Sequence, residues 1–506
     1  MDLVVGLDSS TTATKAVAWT REGQAIAEGR APVPMSNPAP GGFEQQPEEW
    51  WQSAVTALRQ LTTAIDSKRI AALAISNQRE SVGFLDAAGR SLRPAMLWLD
   101  ERGRADIPRV TAALGAERLR EITGKTPDVT PALYSLAWLQ RNEPANFTAT
   151  QYFVDVQGYL ALRLTGARAT SWGSADPHGL FDLREKKLSP EILAWLGLRE
   201  DQFFPAEPPG KVLGEVTAEA AAATGLRPGT ILAAGGGDGQ AAGLGCAVLG
   251  GGRAYLNLGT AVVSGVFSRT CRTDPAFRTE TSLSGDGYIF ETCLRTGMFL
   301  TDWVTKRLFG LDPAGDPGCY DRLETAAAAV PPGSDGLLLL PYWSGVMSPH
   351  WNPDARGAMV GFAPDHDRGH VYRALIEGIA LDQAAGYDAI EARGEPIEEI
   401  VVIGGGAKSP LWRRIFADAT GRELVASETV EASSLGAAML AAVGAGWYAS
   451  PPEAARAMQG RLSERLSPDP HRHAIYRELG AIYAGLYPAM TETFARLARF
   501  RECQRA

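Results

Sequence analysis

Short apolar runs that end in glycine or polar residues recur along the chain. Runs of this length, bounded by turn residues, are typical of buried strands, and we predict strands at Leu3–Asp8, Thr14–Trp19, Ile70–Ile75, Ile231–Ala234, Tyr255–Leu258, Asp335–Pro341 and Glu399–Ile403. Apolar residues at helical spacing predict helices, among them Gln46–Ile65, Val371–Ala384, Leu411–Thr420, Ser433–Val443 and Tyr476–Phe500. Strands that alternate with helices are typical of an α/β protein.

One strand–turn–strand pattern occurs twice. In Leu3–Trp19 the turn is Ser9-Ser10-Thr11-Thr12, and in Tyr255–Val263 it contains Gly259-Thr260. Such turns offer backbone N–H groups and hydroxyls, which suit a phosphate. We therefore expect two equivalent α/β domains, residues 1–246 and 247–506, that face one another across a cleft with ATP between them.

Asp238 lies in the glycine-rich stretch after the predicted strand Ile231–Ala234. Glycines on both sides let backbone or ligand approach closely. An acid together with phosphate turns suggests phosphoryl transfer to a hydroxyl, in which the acid accepts the hydroxyl proton. Two alternatives stay open. Gly237-Asp238-Gly239-Gln240-Ala241-Ala242 also fits a dinucleotide fingerprint, although no Asp or Glu follows before Asp274, and Asp238 also fits the N-cap of a helix.

The composition narrows the class of protein. The 506 residues are 45% hydrophobic and 21% charged, with a formal net charge of −9. Because no run is rich in Lys or Arg, nucleic acid and membrane surfaces are disfavoured as partners. The five cysteines are scattered and form no C-x-x-C pair, which argues for a reducing compartment and against zinc. With no signal peptide or apolar span visible, we expect a cytoplasmic protein.

These motifs, in this order, resemble those of the FGGY carbohydrate kinases, which have the fold of actin, hexokinase and the heat-shock ATPases. Leu7–Lys15 and Leu258–Thr260 resemble the two phosphate motifs, and Gly237–Gln240 resembles the segment of the catalytic Asp. Gly404–Ser409 resembles the adenosine motif. The resemblance covers nearly the whole chain. It implies an α/β fold of two actin-like, ribonuclease H-like ATPase domains facing each other across a cleft, with ATP and Mg²⁺ as cofactors.

The resemblance also implies a role for each motif residue. Asp238 is the expected catalytic base, and Asp8 is expected to hold Mg²⁺ through water. The residues expected to bind ATP and its phosphates are Thr11, Thr12, Lys15, Gly259, Thr260, Gly404, Gly405, Gly406 and Ser409. The residues expected to bind the substrate are Gln78, Arg79, Glu80, Asp100, Asp238 and Gly239. A solvated charge at Lys15 and a surface ion pair at Arg79-Glu80 are the simpler alternatives.

The expected partner is a small sugar or polyol. Two segments of the sequence favour different substrates. Leu92–Asp100 resembles xylulokinases, which favours a ketopentose such as D-xylulose. Asn77–Glu80 resembles the polyol-binding segment of glycerol kinases, which favours glycerol or erythritol. The family's signature loop, usually charged, carries Val346-Met347 here. A non-enzymatic ATPase of the actin fold is a third alternative, and a homodimer is left open.

Overall fold

The protein is built on two six-stranded sheets. The structure, a computed structural model, describes residues 1–429, 431–463 and 465–505. The strands of the first sheet, in spatial order, are Val212–Glu215, Ile231–Gly237, Ile70–Asn77, Leu3–Ser9, Ala13–Trp19 and Ala25–Pro32. The central strands are buried on both faces, which explains why the sequence shows them as continuous apolar runs.

The second sheet repeats the arrangement of the first. Its strands, in spatial order, are Arg278–Thr281, Tyr288–Leu294, Val262–Ser268, Gly252–Leu258, Ile397–Ile403 and Glu423–Ala426. In each sheet the first strand in the sequence pairs antiparallel with the second and parallel with a strand far along the chain: Leu3–Ser9 with Ile70–Asn77, and Gly252–Leu258 with Ile397–Ile403. The predicted pair of strand–turn–strand units is thus confirmed at the same position in both sheets.

Helices cover both sheets, and the five predicted helices are all present, although Arg368–Glu391 and Pro470–Arg505 extend several residues beyond the predicted ends. The α-helices of eight or more residues are Pro47–Ala64, Ile107–Leu114, Ala116–Thr123, Ala132–Asn142, Val156–Thr165, Asp238–Gly245, Cys319–Ala329, Arg368–Glu391, Pro410–Thr420, Ala432–Gly444, Pro451–Met458 and Pro470–Arg505. Shorter ones are Pro144–Ala149, Trp172–Ala175, Pro190–Leu196, Ala218–Thr224 and Met298–Trp303. Among the described residues, no helix combines the length and the apolar character that crossing a membrane requires.

Local capping fixes the predicted helix ends. The hydroxyl of Ser409 accepts a hydrogen bond from the Trp412 N–H at the start of Pro410–Thr420, and Gly421 ends that helix with a φ of 69°. One prediction needs correction, because the strand expected over Asp335–Pro341 is limited to Leu338–Leu340. A 3₁₀ turn, Ser334–Gly336, comes before it, with Asp335 at a φ of 49°.

Two small-residue helices, Asp238–Gly245 and Ala432–Gly444, pack backbone against backbone between the sheets. A Cβ atom on Gly436 would collide with the Ala241 carbonyl, and one on Gly6 would collide with the Ser434 carbonyl. The second helix follows the last strand of the second sheet, yet its apolar residues share a core with the first sheet. The close packing therefore ties the two halves together beside Asp238.

Candidate functional site

A cavity of about 170 Å³ lies between the two sheets. Both halves of the chain line it. The lining residues are Thr11, Arg79, Glu80, Trp98, Thr130, Asp238, Asn257, Gly259, Thr260, Ala261, Val263, Arg278, Cys293, Arg295 and Met347. On the first sheet, Arg79 and Glu80 follow the strand Ile70–Asn77, and Asp238 follows its parallel neighbour Ile231–Gly237. Ligands of α/β folds usually bind at the carboxyl ends of such strands.

Asp238 opens into this cavity from the first turn of its helix. Gly237 is the N-cap and Asp238 is the first helical residue, so the expected N-cap position is off by one. Its carboxylate accepts a hydrogen bond of 2.8 Å from the Gly239 N–H and lies 3.2 Å from Arg79 Nε, with 41% of the side chain exposed. Burial of the carboxyl among protein atoms raises the pKa of Asp238 above its usual 3.8, and the nearby charge of Arg79 opposes that rise.

Behind Asp238 lies a buried charge cluster that joins the two halves. Glu291 accepts hydrogen bonds from Arg79 Nη1, at 2.9 Å, and from Arg278 Nη2. Arg278 Nη1 in turn donates to Glu80 at 2.8 Å. The two guanidinium groups lower the pKa of Glu291 to about 2, although burial of this carboxyl raises its pKa. Burial raises the pKa of Glu80 to about 7, against the charges of Arg278 and Arg79. These pairs hold Arg79 and Glu80 in place at the cavity wall.

The cluster also includes Glu280, which is fully buried. Its oxygens lie 3.3 Å from Lys125 Nζ and 3.8 Å from both Arg79 Nη1 and Arg278 Nε. Lys125 also pairs with Asp176. Sequence reasoning missed these residues, together with Glu291 and Arg295. One signal was available: Arg278 and Glu280 are charged at alternate positions of the fully buried strand Arg278–Thr281, which marks one face of it as polar.

Glu80 itself adopts an unusual backbone. Its φ of 59° lies in the left-handed region, which residues with a side chain rarely enter. Such strain costs about 1–3 kcal/mol and persists where the surroundings fix the residue. Here the Glu80 carboxylate is fixed by Arg278. The simple surface ion pair considered for Arg79-Glu80 is therefore wrong, because both side chains are buried and pair with the other half of the chain.

Three expected substrate residues, Asp100, Gln78 and Gly239, are not part of the cavity wall. Asp100 is fully buried, and its carboxylate accepts hydrogen bonds from the Phe43 N–H at 2.9 Å and from Arg102 Nη2 at 2.6 Å. Gln78 is also buried; its amide donates to Gln45 Oε1 at 3.0 Å and accepts from Ser81 Oγ at 3.0 Å. Gly239 has no room for a side chain, since a Cβ there would lie 2.7 Å from Glu291 Oε2. Asp100, Gln78 and Gly239 thus contact other parts of the protein and not the cavity.

The two predicted phosphate turns meet at the cavity. Thr11, Gly259 and Thr260 line it, while Thr12 is exposed beside Thr11. The Thr11 hydroxyl accepts a hydrogen bond of 2.9 Å from Trp98 Nε1. The Gly259 and Thr260 carbonyls are fixed by the N–H groups of Met298 and Gly297, each at 2.9 Å.

Lys15 and Asp8 lie opposite each other on the first hairpin. Lys15 Nζ forms two short contacts, of 2.6 and 2.7 Å, with the carboxylate of Glu431, so the solvated surface charge considered for it is wrong. Asp8 accepts a hydrogen bond of 2.8 Å from Ser76 Oγ, and burial raises the pKa of Asp8 to about 7 against that bond. No described group of three or more His, Cys, Asp or Glu side chains has metal-binding geometry. A single carboxylate suits Mg²⁺ that keeps most of its waters.

The glycines predicted to hold adenosine form a bare stretch of backbone. Gly404 has a φ of 85°, and a Cβ there would press against Asn257 and the Leu258 carbonyl. Gly405 is exposed, and a Cβ built on it would meet nothing within 4 Å. Gly406 is buried against the Leu258 side chain, so the open backbone that a flat base needs lies at Gly405. The Ser409 hydroxyl is engaged as the helix cap and donates to Glu324 at 2.6 Å.

Comparison with known proteins agrees with this geometry. Residues 3–245 match the model of the N-terminal domain of the FGGY family of carbohydrate kinases, and residues 254–445 match the model of its C-terminal domain. The chain is 29% identical to the xylulose kinase of Bacillus subtilis (strain 168), over 99% of this chain and 100% of that protein. It is 26% identical to the gluconokinase of the same organism, over 86% of each.

Solved structures show the same arrangement. The xylulose kinase from Rhodospirillum rubrum superposes with a TM-score of 0.89 at 30% identity, covering 97% of this chain and 100% of that one. A gluconate kinase from Lactobacillus acidophilus, at 24% identity, has a TM-score of 0.91 over 98% of this chain and 99% of that one, and supports the fold alone. The two-domain α/β fold predicted from the sequence is confirmed, and the matches give no support to the dinucleotide fingerprint.

Proposed function

Because the chain belongs to the FGGY family of carbohydrate kinases, we propose that it transfers a phosphoryl group from ATP to a hydroxyl of a ketopentose, with D-xylulose as the preferred substrate. One observation carries the proposal. A carboxylate with a raised pKa, Asp238, and both phosphate turns open into a single cavity between the two halves of the chain. Phosphoryl transfer needs these groups together, since it depends mainly on positioning and charge stabilisation.

Asp238 accepts the proton of the attacking hydroxyl in this mechanism. A raised pKa brings the carboxyl closer to the working pH, where a general base is most effective. Arg79 orients the Asp238 carboxylate through Nε, and Glu291 holds the other end of the Arg79 guanidinium. When bound, ATP supplies the phosphoryl group and Mg²⁺ offsets its negative charge.

The nucleotide is held by the groups predicted for it. Thr11, Thr12, Lys15, Gly259 and Thr260 bind the phosphates, and Asp8 holds Mg²⁺ through water. Gly404, Gly405 and Gly406 accommodate the adenosine against bare backbone, with Ser409 at the end of that turn. We also retain residues 1–246 and 247–506 as the two domains. In this division the helix Ala432–Gly444 belongs to the second domain and packs on the first.

We propose D-xylulose as the first candidate substrate because several of the similar curated proteins are named xylulose kinase. A glycerol- or erythritol-type polyol is the second candidate, and a specific observation favours it. Arg79 and Glu80, which resemble the polyol-binding segment of glycerol kinases, both line the cavity. Gln78 and Asp100 would support this wall from behind, since their side chains contact protein.

A substrate panel tests the proposal. ADP release is measured with D-xylulose, glycerol, erythritol, gluconate and no sugar, each at saturating MgATP. We expect D-xylulose to give the highest kcat/KM. A higher value for glycerol or erythritol would favour the polyol candidate. If no compound raises ADP release above the rate without sugar, the kinase assignment fails for this set of substrates.

A further inference from the structure

A second cavity, of about 700 Å³, lies wholly within the first half of the chain. Its walls are the strand Tyr152–Val154, the hairpin around Phe181 and Leu188, and the segment from Glu200 to Ala206. It shares no lining residue with the cavity around Asp238. Pockets for small molecules typically have volumes of about 300–1,000 Å³, so the space is large enough for a metabolite.

Aromatic side chains form much of the wall. They are Tyr152, Phe153, Phe181, Phe203 and Phe204. Phe153 stacks on Phe203 with ring centroids 5.4 Å apart, and Tyr152 contacts Phe204 at 5.5 Å. Phe153, Phe181 and Phe204 are at most 6% exposed, so these packed rings give the cavity a rigid apolar wall, which suits the apolar part of a ligand.

Three cations line the same cavity: Arg168, Lys186 and Lys187, the last of which pairs with Glu185 at 3.4 Å. Among the residues that the structure describes, Arg168 and Lys186 form no ion pair within 4.0 Å, although the charge of Asp286 acts on Lys186, whose Nζ also donates to the Gly285 carbonyl at 3.5 Å. Arg168 donates to the Tyr152 hydroxyl at 2.6 Å and lies over that ring. Lys186 Nζ lies 4.4 Å from the Trp172 ring centroid, and the residue has a φ of 52°. Cations that lie over aromatic rings, with Arg168 outside any ion pair, suit an anion that carries a flat group.

Three carboxylates also line the cavity. Glu200 and Asp201 lie on the exposed part of the wall, where Asp201 pairs with Arg199 at 2.9 Å, and the buried Asp155 accepts hydrogen bonds from the Gly158 N–H and the Thr170 hydroxyl. They would repel a ligand that is negative throughout, such as a sugar bisphosphate. A base with an exocyclic amino group offers them a hydrogen-bond donor, while a single phosphate pairs with Arg168 and Lys186. The chemistry of the wall therefore selects an amphipathic anion over a plain sugar phosphate.

A chain of hydrogen bonds connects this cavity to the candidate active site. His178, which lines the second cavity, has Nε2 3.3 Å from the Ser81 carbonyl. The Ser81 hydroxyl accepts from the Trp98 N–H at 3.3 Å, and Trp98 Nε1 donates to the Thr11 hydroxyl at 2.9 Å. Trp98 and Thr11 line the cavity of Asp238. A ligand that moves His178 would thus affect the wall of the sugar site.

We propose that the cavity between Tyr152 and Ala206 binds a nucleoside monophosphate with an amino-bearing base. The base lies against the apolar wall of phenylalanines, and the phosphate pairs with Arg168 and Lys186. Because binding at one site and binding at a coupled site affect each other equally, the nucleotide changes the affinity for the sugar through His178, Ser81 and Trp98.

The test uses the full chain and AMP as the probe. AMP binding is measured by titration calorimetry on the wild type, on Arg168→Ala/Lys186→Ala and on Arg90→Ala. Arg90 is a matched control, since it lies in the same half, is 80% exposed and, among the residues that the structure describes, has Asp86 as its one ion-pair partner. We expect the double variant to bind AMP at least about tenfold more weakly, because it loses two charge-assisted contacts, and the control to match the wild type. Arg168→Gln and Lys186→Gln, tested singly, replace the double variant if it does not fold.

Two outcomes overturn the site. One is undetectable AMP binding to the wild type; the other is equal binding by wild type and cavity variants, which would place AMP in the ATP site instead. Because the titration needs no turnover, a failed substrate panel does not affect it. A second measurement tests the coupling: AMP shifts the sugar KM of the wild type and leaves that of the double variant unchanged. If AMP leaves the sugar KM of the wild type unchanged, the coupling is overturned.

Discussion

Arg79 Nε lies 3.2 Å from Asp238 Oδ1, while Nη1 of the same guanidinium lies 2.9 Å from Glu291 Oε2. One arginine of the first half therefore joins the proposed base to a carboxylate of the second. The sequence predicts that Arg79 binds the substrate. Its contacts indicate a second role, in which Arg79 orients the Asp238 carboxylate. Because the same guanidinium contacts Glu291, this orientation depends on the position of the second half.

Arg79→Ala should therefore lower kcat and raise the sugar KM together. Loss of hydrogen bonds to charged groups costs about 1.5–3 kcal/mol each, which is roughly ten- to two-hundred-fold in an equilibrium constant. The KM for ATP should stay near the wild-type value. Arg79→Lys keeps the charge but cannot contact both carboxylates in this way, so it should recover only part of the activity. Steady-state kinetics with wild-type kcat and sugar KM for Arg79→Ala would contradict both roles.

The pair between Lys15 and Glu431 predicts a change in nucleotide affinity. The Glu431 carboxylate pairs with Lys15 Nζ, which we expect to bind phosphate, and therefore competes with the nucleotide for this charge. Glu431→Gln removes the competing carboxylate and should lower the KM for ATP. Both side chains are about one quarter exposed, and such pairs contribute up to about 1 kcal/mol, which limits the effect to about two- to fivefold. Glu428→Gln, an exposed position in the same segment, is the control. A higher KM for ATP in Glu431→Gln would show that Glu431 supports nucleotide binding.

The raised pKa of Asp238 predicts the acid side of the pH profile. Only the unprotonated carboxylate accepts a proton, and burial puts its pKa above 3.8. Activity should therefore be lost as the pH falls through this raised pKa, at a higher pH than for an exposed aspartate. The measurement is kcat/KM for the sugar against pH, because kcat/KM reports the pKa values of the enzyme without bound sugar. A kcat/KM that stays constant down to about pH 4 would contradict a base with a raised pKa.

Asp100 should matter for stability more than for substrate choice. Its fully buried carboxylate pairs with Arg102, and removing one partner of a buried pair costs about 3–5 kcal/mol. Asp100→Ala should lower the Tm strongly, while Asp100→Asn, which keeps the shape and one carbonyl acceptor, should lower it less. The ratio of kcat/KM values for D-xylulose and glycerol should not change. An unchanged Tm with a selective loss of D-xylulose use would restore the expectation from the sequence.

The features predicted from the sequence are those set by local residues. Apolar runs indicated the central strands, Ser409 and Gly421 indicated the ends of a helix, and flanking glycines singled out Asp238. The contacts that were missed join distant parts of the chain. Arg79 and Glu291 are separated by 212 positions, and Lys15 and Glu431 by 416. No local pattern encodes such a pairing, because it depends on how the two sheets are placed across the cleft.

The turnover of Asp238→Asn tests whether Asp238 is the catalytic base. The substitution keeps the size of the side chain and an oxygen that can accept from the Gly239 N–H, so folding and ATP binding should be retained. Without a carboxylate to accept the hydroxyl proton, kcat for the best sugar of the panel should fall at least about 100-fold. The Kd for MgATP, measured by titration on the same preparation, is the control. A kcat near the wild-type value, with MgATP binding intact, would contradict the proposed role of Asp238.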